Sequence, residues 1–152
     1  MTLATITRGN SVTAQYLDTT SQEKRQYFRQ SAALTKQSAY DELVNVWEEC
    51  KTANWDGYNA FPVQEQTFNK TSSLIEALPL GFPLPSVGAE PDGHLTLEWY
   101  VRPQRTFSIS ISPEGILYYA GLFDDSDPRG VEVFWGRVPQ TILELIQRVF
   151  IA

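Results

Sequence analysis

Few side chains in this sequence are of the types that carry out nucleophilic catalysis. The chain has one cysteine, Cys50, and one histidine, His94. A cysteine or serine nucleophile needs a base that takes its proton. Cys50 lies on an apolar stripe and is expected to be a buried small hydrophobe, and His94 follows a turn and is expected to be an exposed imidazole. A structural zinc site needs about four cysteine or histidine ligands, so we expect no metal. The sequence has neither a GxxxxGK(S/T) loop nor a GxGxxG fingerprint, so we expect no cofactor.

Paired carboxylates are the remaining catalytic option, because one can act as an acid while the other acts as a base or nucleophile. Asp56 lies in an aromatic-rich turn and Glu98 lies within a strand. If the fold joins them, the chain is a small hydrolase-like enzyme. Glu98 is more simply a polar residue of a solvated sheet face or the ion-pair partner of a nearby arginine. The walls of the alternative site would be aromatic: Trp55, Tyr58 and Tyr100.

The charge of the chain bears on its partners. With 12 basic and 18 acidic residues the net charge is −6, which argues against direct binding to nucleic acid, where affinity comes from neutralising phosphates. Mild acidity mainly serves solubility. A minority hypothesis is an acidic inhibitor of a nucleic-acid-binding defence complex. That hypothesis requires these carboxylates to cluster on one side: Glu90, Asp92, Asp124, Asp125, Asp127 and Glu132.

The central elements of the sequence are strands that alternate between apolar and polar residues. Residues 95–101, 106–112 and 116–121 are predicted to form an antiparallel meander, and residues 131–137 a fourth strand. The turns contain Pro103, Pro113 and Gly115, as tight turns favour. A shift of one residue would turn Phe107, Ile109 and Ile111 outward, so the register is strongly specified.

Three helices are predicted to accompany the sheet. Residues 38–53 carry Tyr40, Leu43, Val44, Trp47 and Cys50 at helical spacing, with Ser38 as the N-cap. Residues 63–77 have an inward stripe that includes Val63, Phe68, Leu74 and Leu78, and the prolines after it predict an extended connection. Residues 140–150 have a wide apolar face.

The predicted fold is therefore α+β, a four-stranded antiparallel meander sheet with helices packed on one face. Residues 37–152 form the single domain, and residues 1–36 are an N-terminal arm or an extra helix from about Ser21 to Leu34. No apolar run reaches the roughly 20 residues of a membrane span. The single cysteine fits a reducing cytoplasm, where we expect this protein.

Several short motifs resemble a family of small bacterial proteins of uncharacterised activity. They are Asn54-Trp55-Asp56-Gly57 with Ala60 and Pro62, then Pro91-Asp92-Gly93 and Glu98-Trp99, and finally the serine-alternating strand with Gly115 and Tyr119-Ala120. The resemblance covers about residues 50–150. It implies a bacterial or mobile-element origin and brings no activity with it.

The function that these observations favour is a non-enzymatic protein-interaction module of immunity, antitoxin or regulatory type. The polar face of the sheet mixes tyrosine with serine and threonine, as interaction surfaces often do. We expect a protein partner, with homo-oligomers compatible with the pattern. The expected contact residues are Trp55, Tyr58, Glu98, Tyr100, Ser108, Ser110 and Tyr118.

Overall fold

The computed structural model describes residue 23 and residues 35–151. Lys36–Ala152 form one compact unit. The predicted N-terminal arm and its helix from Ser21 to Leu34 lie outside the described residues, apart from Glu23 and the last two positions of the arm.

Three helices are described: α1 over residues 35–50, α2 over Glu65–Ala77 and α3 over Gln140–Phe150. The last two agree with the predicted helices to within two residues. In α2 the buried side chains are Thr67, Thr71, Leu74 and Ile75, and in α3 they are Ile142, Leu145, Ile146 and Val149. Spacings of three and four residues give each helix one apolar stripe.

The sheet has five strands, so the prediction of four strands was wrong. They are β1 Ser86–Ala89, β2 Leu95–Arg102, β3 Arg105–Ile111, β4 Ile116–Leu122 and β5 Arg129–Val133. All neighbours are antiparallel and the spatial order follows the chain. The unpredicted strand, β1, is short and contains Gly88 and Ala89, which favour strands weakly. Its pairing with β2 stabilises it.

The predicted register of the central strands is confirmed. Leu95, Leu97 and Trp99 of β2 pair with Ile111, Ile109 and Phe107 of β3, and all of these side chains are buried. They belong to one hydrophobic cluster with residues from all three helices, including Leu43, Leu74 and Ile146. We call this side of the sheet the core face. Both α2 and α3 contact β2 and β3.

The side chain of Lys36 connects the start of α1 with the end of α2. The Nζ atom of Lys36, which is 7% exposed, donates to the carbonyl oxygens of Glu76 at 2.7 Å and Leu78 at 2.6 Å. A cation is favourable there, because the last carbonyls of a helix lack partners and carry partial negative charge. Burial nevertheless lowers the pKa of the Lys36 ammonium.

Three details of the predicted elements were wrong. Ser38 is not an N-cap, because residues 35–37 are already helical, and Val44 lies outside the buried stripe with 44% of its surface exposed. Ala39 and Lys36 take the inward positions instead. The last strand begins at Arg129 and ends at Val133, short of the predicted residue 137. No helix among the described residues is long and apolar enough to cross a membrane.

Candidate functional site

The second side of the sheet, which we call the outer face, is built from the alternate residues of every strand. Cross-strand pairing aligns Gly88, Thr96, Ser110, Tyr118 and Val131 in one row across all five strands. A second row comprises Ser86, Glu98, Ser108, Ala120 and Arg129. A third comprises Tyr100, Thr106 and Leu122. None of these side chains belongs to the buried core.

The outer face therefore brings together most of the predicted contact residues. Glu98, Tyr100, Ser108, Ser110 and Tyr118 occupy positions of the same parity on neighbouring strands. The register separates Tyr118 from its neighbour Tyr119. Tyr119 pairs with Ile109 on the core face and contacts Phe107, whereas Tyr118 lies on the outer face with 43% of its surface exposed.

Glu98 lies in a shallow groove of about 440 Å³ at the β1 side of the outer face. The groove is lined by Ser86, Thr96 and Ser108 around this carboxylate and by Glu90 at one end. Within the described part of the chain, the Glu98 carboxylate makes no hydrogen bond or ion pair, and only its backbone oxygen accepts a bond, from Ser86 Oγ. An exposed and unpaired carboxylate among hydroxyl groups suits a basic ligand group.

His94 is half-buried, with 21% of its side chain exposed, so the expectation of an exposed imidazole was wrong. Its Nδ1 atom lies 2.9 Å from Ser110 Oγ, and that hydroxyl donates to Glu90 Oε2 at 3.0 Å. Since the serine proton goes to the carboxylate, Nδ1 must be the donor to Ser110 Oγ. The imidazole ring also stacks on Tyr118 with a centroid distance of 5.8 Å. The network links the β1–β2 turn to β3 and β4.

The same turn contains the donor set best suited to a metal among the described residues. One ligand atom each from Glu90, Asp92 and His94 lies within 4.8 Å of the others. Carboxylate and imidazole donors suit zinc and related ions. The hydrogen bonds through Ser110, however, already satisfy the facing atoms of Glu90 and His94, and Asp92 Oδ1 accepts the His94 backbone N–H at 2.9 Å. These hydrogen bonds hold the side chains of the cluster in the turn.

The aromatic turn lies outside the outer face. The Oδ1 atom of Asp56 accepts the backbone N–H groups of Tyr58 and Ala60 at 2.8 and 3.0 Å, which holds a turn where Gly57 has a φ of 79°. Trp55 is half-buried and its Nε1 donates to Phe61 O. Tyr58 is 87% exposed. Trp55 therefore stabilises the turn, while Tyr58 projects into solvent, and neither of these two predicted contact residues lies on the outer face.

This turn also supports the neighbouring β1–β2 turn. The Phe61 N–H donates to Pro91 O at 2.8 Å. A Cβ atom on Gly93, whose φ is 92°, would lie 3.0 Å from Pro62 O. This close approach explains why residue 93 is a glycine. Glycine adopts a positive φ at no steric cost and leaves room for the backbone at Pro62.

The acidic residues do not converge on one side of the molecule. Asp124, Asp125 and Asp127 follow β4, at the sheet end opposite the Glu90–Asp92 turn. Each faces an arginine there: Arg102, Arg148 and Arg129, respectively. The hydrogen bonds from Arg102 hold the pKa of the Asp124 carboxyl below its usual value. Glu132 pairs with Leu117 on the core face.

Cys50 lies in the core and is 6% exposed. Burial raises the pKa of its thiol, and the charge of Glu49 adds to that effect. Because the thiolate is the nucleophilic form, this residue is a packing element, as its position on the α1 stripe predicted.

The exposed apolar residues that sequence reasoning did not assign to the outer face lie on β4 and β5. Leu122, Val131 and Val133 are 47%, 58% and 38% exposed on the outer face, and Trp135 after β5 is 87% exposed. The available signal was the alternation of Val131, Val133 and Trp135, which placed them on one side of a strand. It did not tell which side faces solvent. The outer face thus has a polar half on β1–β3 and an apolar half on β4–β5.

In the comparisons with known proteins, no family model, no curated protein and no solved structure matches the chain.

Proposed function

We propose that this chain is a protein-interaction module that binds its partner through the outer face of the sheet and catalyses no reaction. The observation that carries the proposal is the composition of that face: an unpaired carboxylate, hydroxyl groups and exposed tyrosines beside a strip of exposed aliphatic residues. Tyrosine and serine supply contact area and adaptable hydrogen bonds at low entropic cost. The proposal takes the three helices to cover the core face alone, which leaves the outer face free for the partner.

The charges on this face favour a basic partner. The Glu98 carboxylate has no ion-pair partner among the described residues, and Glu90 and Asp92 lie at the same side of the sheet, near the groove. Arg129, in the same row as Glu98, is separated from it by Ser108 and Ala120 and faces Asp127. We therefore expect the partner to place an arginine or lysine against Glu98 and apolar side chains against Tyr118 and Leu122. Such complementarity mainly sets specificity and association rate.

The cell biology of the module follows the resemblance described above. We propose a cytoplasmic protein of bacterial or mobile-element origin that acts as an immunity, antitoxin or regulatory partner.

Neither alternative function gains a specific observation from the fold. The carboxylate of Asp56 serves its own turn through two hydrogen bonds, and Glu98 lies in the sheet. An inhibitor that imitates nucleic acid needs clustered and unpaired carboxylates, whereas the acidic groups after β4 face arginines at one end of the sheet.

The test is affinity capture with the full chain, followed by measurement of binding to the recovered partner. Glu98→Lys and Tyr118→Ala should each weaken binding about tenfold or more, because truncating a central contact typically costs at least 1–2 kcal/mol. The matched control is Glu48→Lys, an exposed charge reversal on α1, which should bind as the wild type does. All three variants should keep the circular dichroism spectrum of the parent.

Two results would overturn the proposal. One is equal binding by the wild type and both outer-face variants. The other is a turnover activity of the wild type that is lost in Glu98→Gln and Asp56→Asn, which would favour the enzyme hypothesis.

A further inference from the structure

Within residues 35–151, β5 is an edge strand that presents unpaired backbone groups at alternate residues. Gly121 N–H donates to Pro128 O at 2.8 Å and Phe134 N–H donates to Gly115 O at 2.9 Å, so these two pairs bracket the β4–β5 ladder. Antiparallel pairs alternate between hydrogen-bonded and non-hydrogen-bonded. Gly130 and Glu132 consequently bond to β4, and the N–H and C=O groups of the other β5 residues point outward: Arg129, Val131 and Val133.

These outward groups have no hydrogen-bond partner among residues 35–151. Their side chains are apolar at the centre of the strand, since Val131 is 58% exposed and Val133 is 38% exposed. Natural edge strands are usually protected by a lysine, a proline, a bulge or a covering segment. The centre of β5 has none of these among the described residues, and the charge of Arg129 at its start is offset by Asp127 at 3.0 Å.

We propose that β5 pairs with β5 of a second copy of this chain, antiparallel and on a two-fold axis at Val131. The outward residues are symmetric about that position, so the edge is complementary to itself, as a two-fold interface requires. Val131 faces Val131 of the second copy, and Arg129 faces Val133 of the second copy in both directions. Every outward N–H and C=O group of the strand then has a partner.

The charges select this register over its neighbours. The axis at Val131 places each Glu132 opposite a glycine, Gly130 of the second copy. An axis shifted to Glu132 would set two carboxylates directly opposite each other, which destabilises a strand pair. An axis shifted to Gly130 would leave Val133 facing Asp127 in the loop. Only the central register pairs the whole strand without a like-charge contact.

The dimer would extend the outer face across both copies. The row that contains Ser110, Tyr118 and Val131 would continue through Val131 and Tyr118 of the second copy, which doubles the apolar strip. A pair of five-residue strands is small beside a standard interface of about 800 Å² per partner. The dimer is therefore weak and concentration-dependent. It does not depend on the partner binding proposed above.

The first experiment measures the molar mass of the full chain by sedimentation equilibrium over a wide concentration range. The wild type should pass from monomer to dimer, and Val131→Lys should stay monomeric at concentrations at least tenfold higher. Ser108→Lys adds the same charge to the outer face away from the edge and should dimerise as the wild type does. A wild type that stays monomeric throughout, or equal dimerisation by all three proteins, would overturn the proposal.

The second experiment tests the register by oxidation. Residues facing each other in a hydrogen-bonded antiparallel pair have Cα atoms about 5.5 Å apart, within the range of about 4.4–6.8 Å that a disulfide needs. Val131→Cys should therefore form a covalent dimer. In the same register the two copies of residue 133 lie roughly 13 Å apart, so Val133→Cys should remain uncrosslinked. The reverse pattern would exclude the axis at Val131, and no crosslink in either variant would exclude the pairing itself.

Discussion

The two edge strands of the sheet, β1 and β5, differ in how their outward backbone groups and side chains are covered. At β1, the Val87 N–H donates to Glu42 Oε1 of α1 at 3.0 Å, and Val87 is only 9% exposed. At β5, the corresponding central residue, Val131, is 58% exposed and its outward N–H has no partner in the described part of the chain.

The difference shows how one sheet can resist strand addition at one edge and permit it at the other. At β1, the Glu42 carboxylate accepts the Val87 N–H that an incoming strand would need as a donor. The Val87 side chain is covered by the core. Exposed edges that lack such protection are templates for pairing. The asymmetry directs any strand addition to β5, next to the apolar half of the outer face.

The largest expected effect comes from matched proline substitutions at the two edges. Proline removes an N–H group and is tolerated only where that group points away from its own sheet. Val87→Pro should lower the free energy of unfolding by about 3 kcal/mol, because it removes the N–H group that the Glu42 carboxylate accepts and leaves that carboxylate without its donor. Val131→Pro should lower it by less than about 1 kcal/mol, since its N–H has no partner among the described residues.

Urea denaturation of both variants at a dilution where the wild type is monomeric provides the measurement. Equal losses at the two positions would mean that the edges are not different in the way described.

A smaller effect is expected from substitution of Glu42, whose carboxylate accepts the Val87 N–H at the edge of β1. Glu42→Ala should lower the free energy of unfolding by about 2 kcal/mol, because a hydrogen bond to a charged group contributes about 1.5–3 kcal/mol and the Val87 N–H loses its acceptor. Glu42→Gln keeps an acceptor oxygen in the same place, so it should retain at least half of that contribution. If the glutamine and alanine variants are equally destabilised, the bond to Val87 is not the cause.

The smallest effect is expected from the glycines of the edge strands. A Cβ atom at Gly130 would lie 2.5 Å from Tyr119 Oη and 2.7 Å from Cζ, so Gly130→Ala must displace a ring that packs against Phe107. We expect a loss of about 1 kcal/mol, in the range of overpacking and off-rotamer costs. At Gly88 the Cβ atom would meet only Thr96 Oγ1, at 2.8 Å.

The Thr96 hydroxyl can rotate away, so Gly88→Ala should cost less than Gly130→Ala in the same denaturation experiment. A larger loss at Gly88 would contradict the view that Tyr119 fills the space over β5.

The central strands and the closing helix could be predicted from the sequence because their signals are local. Alternation in β2 and β3 assigned Leu97 and Ile109 to the core face, and the same parity placed Glu98 and Ser108 together on the outer face. The strand β1 could not be predicted, because its formation depends on pairing with β2 and on Glu42, which is distant in sequence.

The site itself was predicted only in part, for the same reason. The period of the strands selected the outer-face residues of β2 and β3. It could not show that His94 is held by Ser110 and stacked on Tyr118, since those contacts join three strands.

By itself the sequence determined the class of the fold, the meander order and the core face, because steric alternation and turn chemistry act between neighbouring residues. The tertiary structure decided which edge strand has its outward N–H covered by a helix within the described part of the chain, and which valines meet water. Those properties depend on the residues that lie across a strand pair or over a helix, and a one-dimensional pattern does not contain such distances.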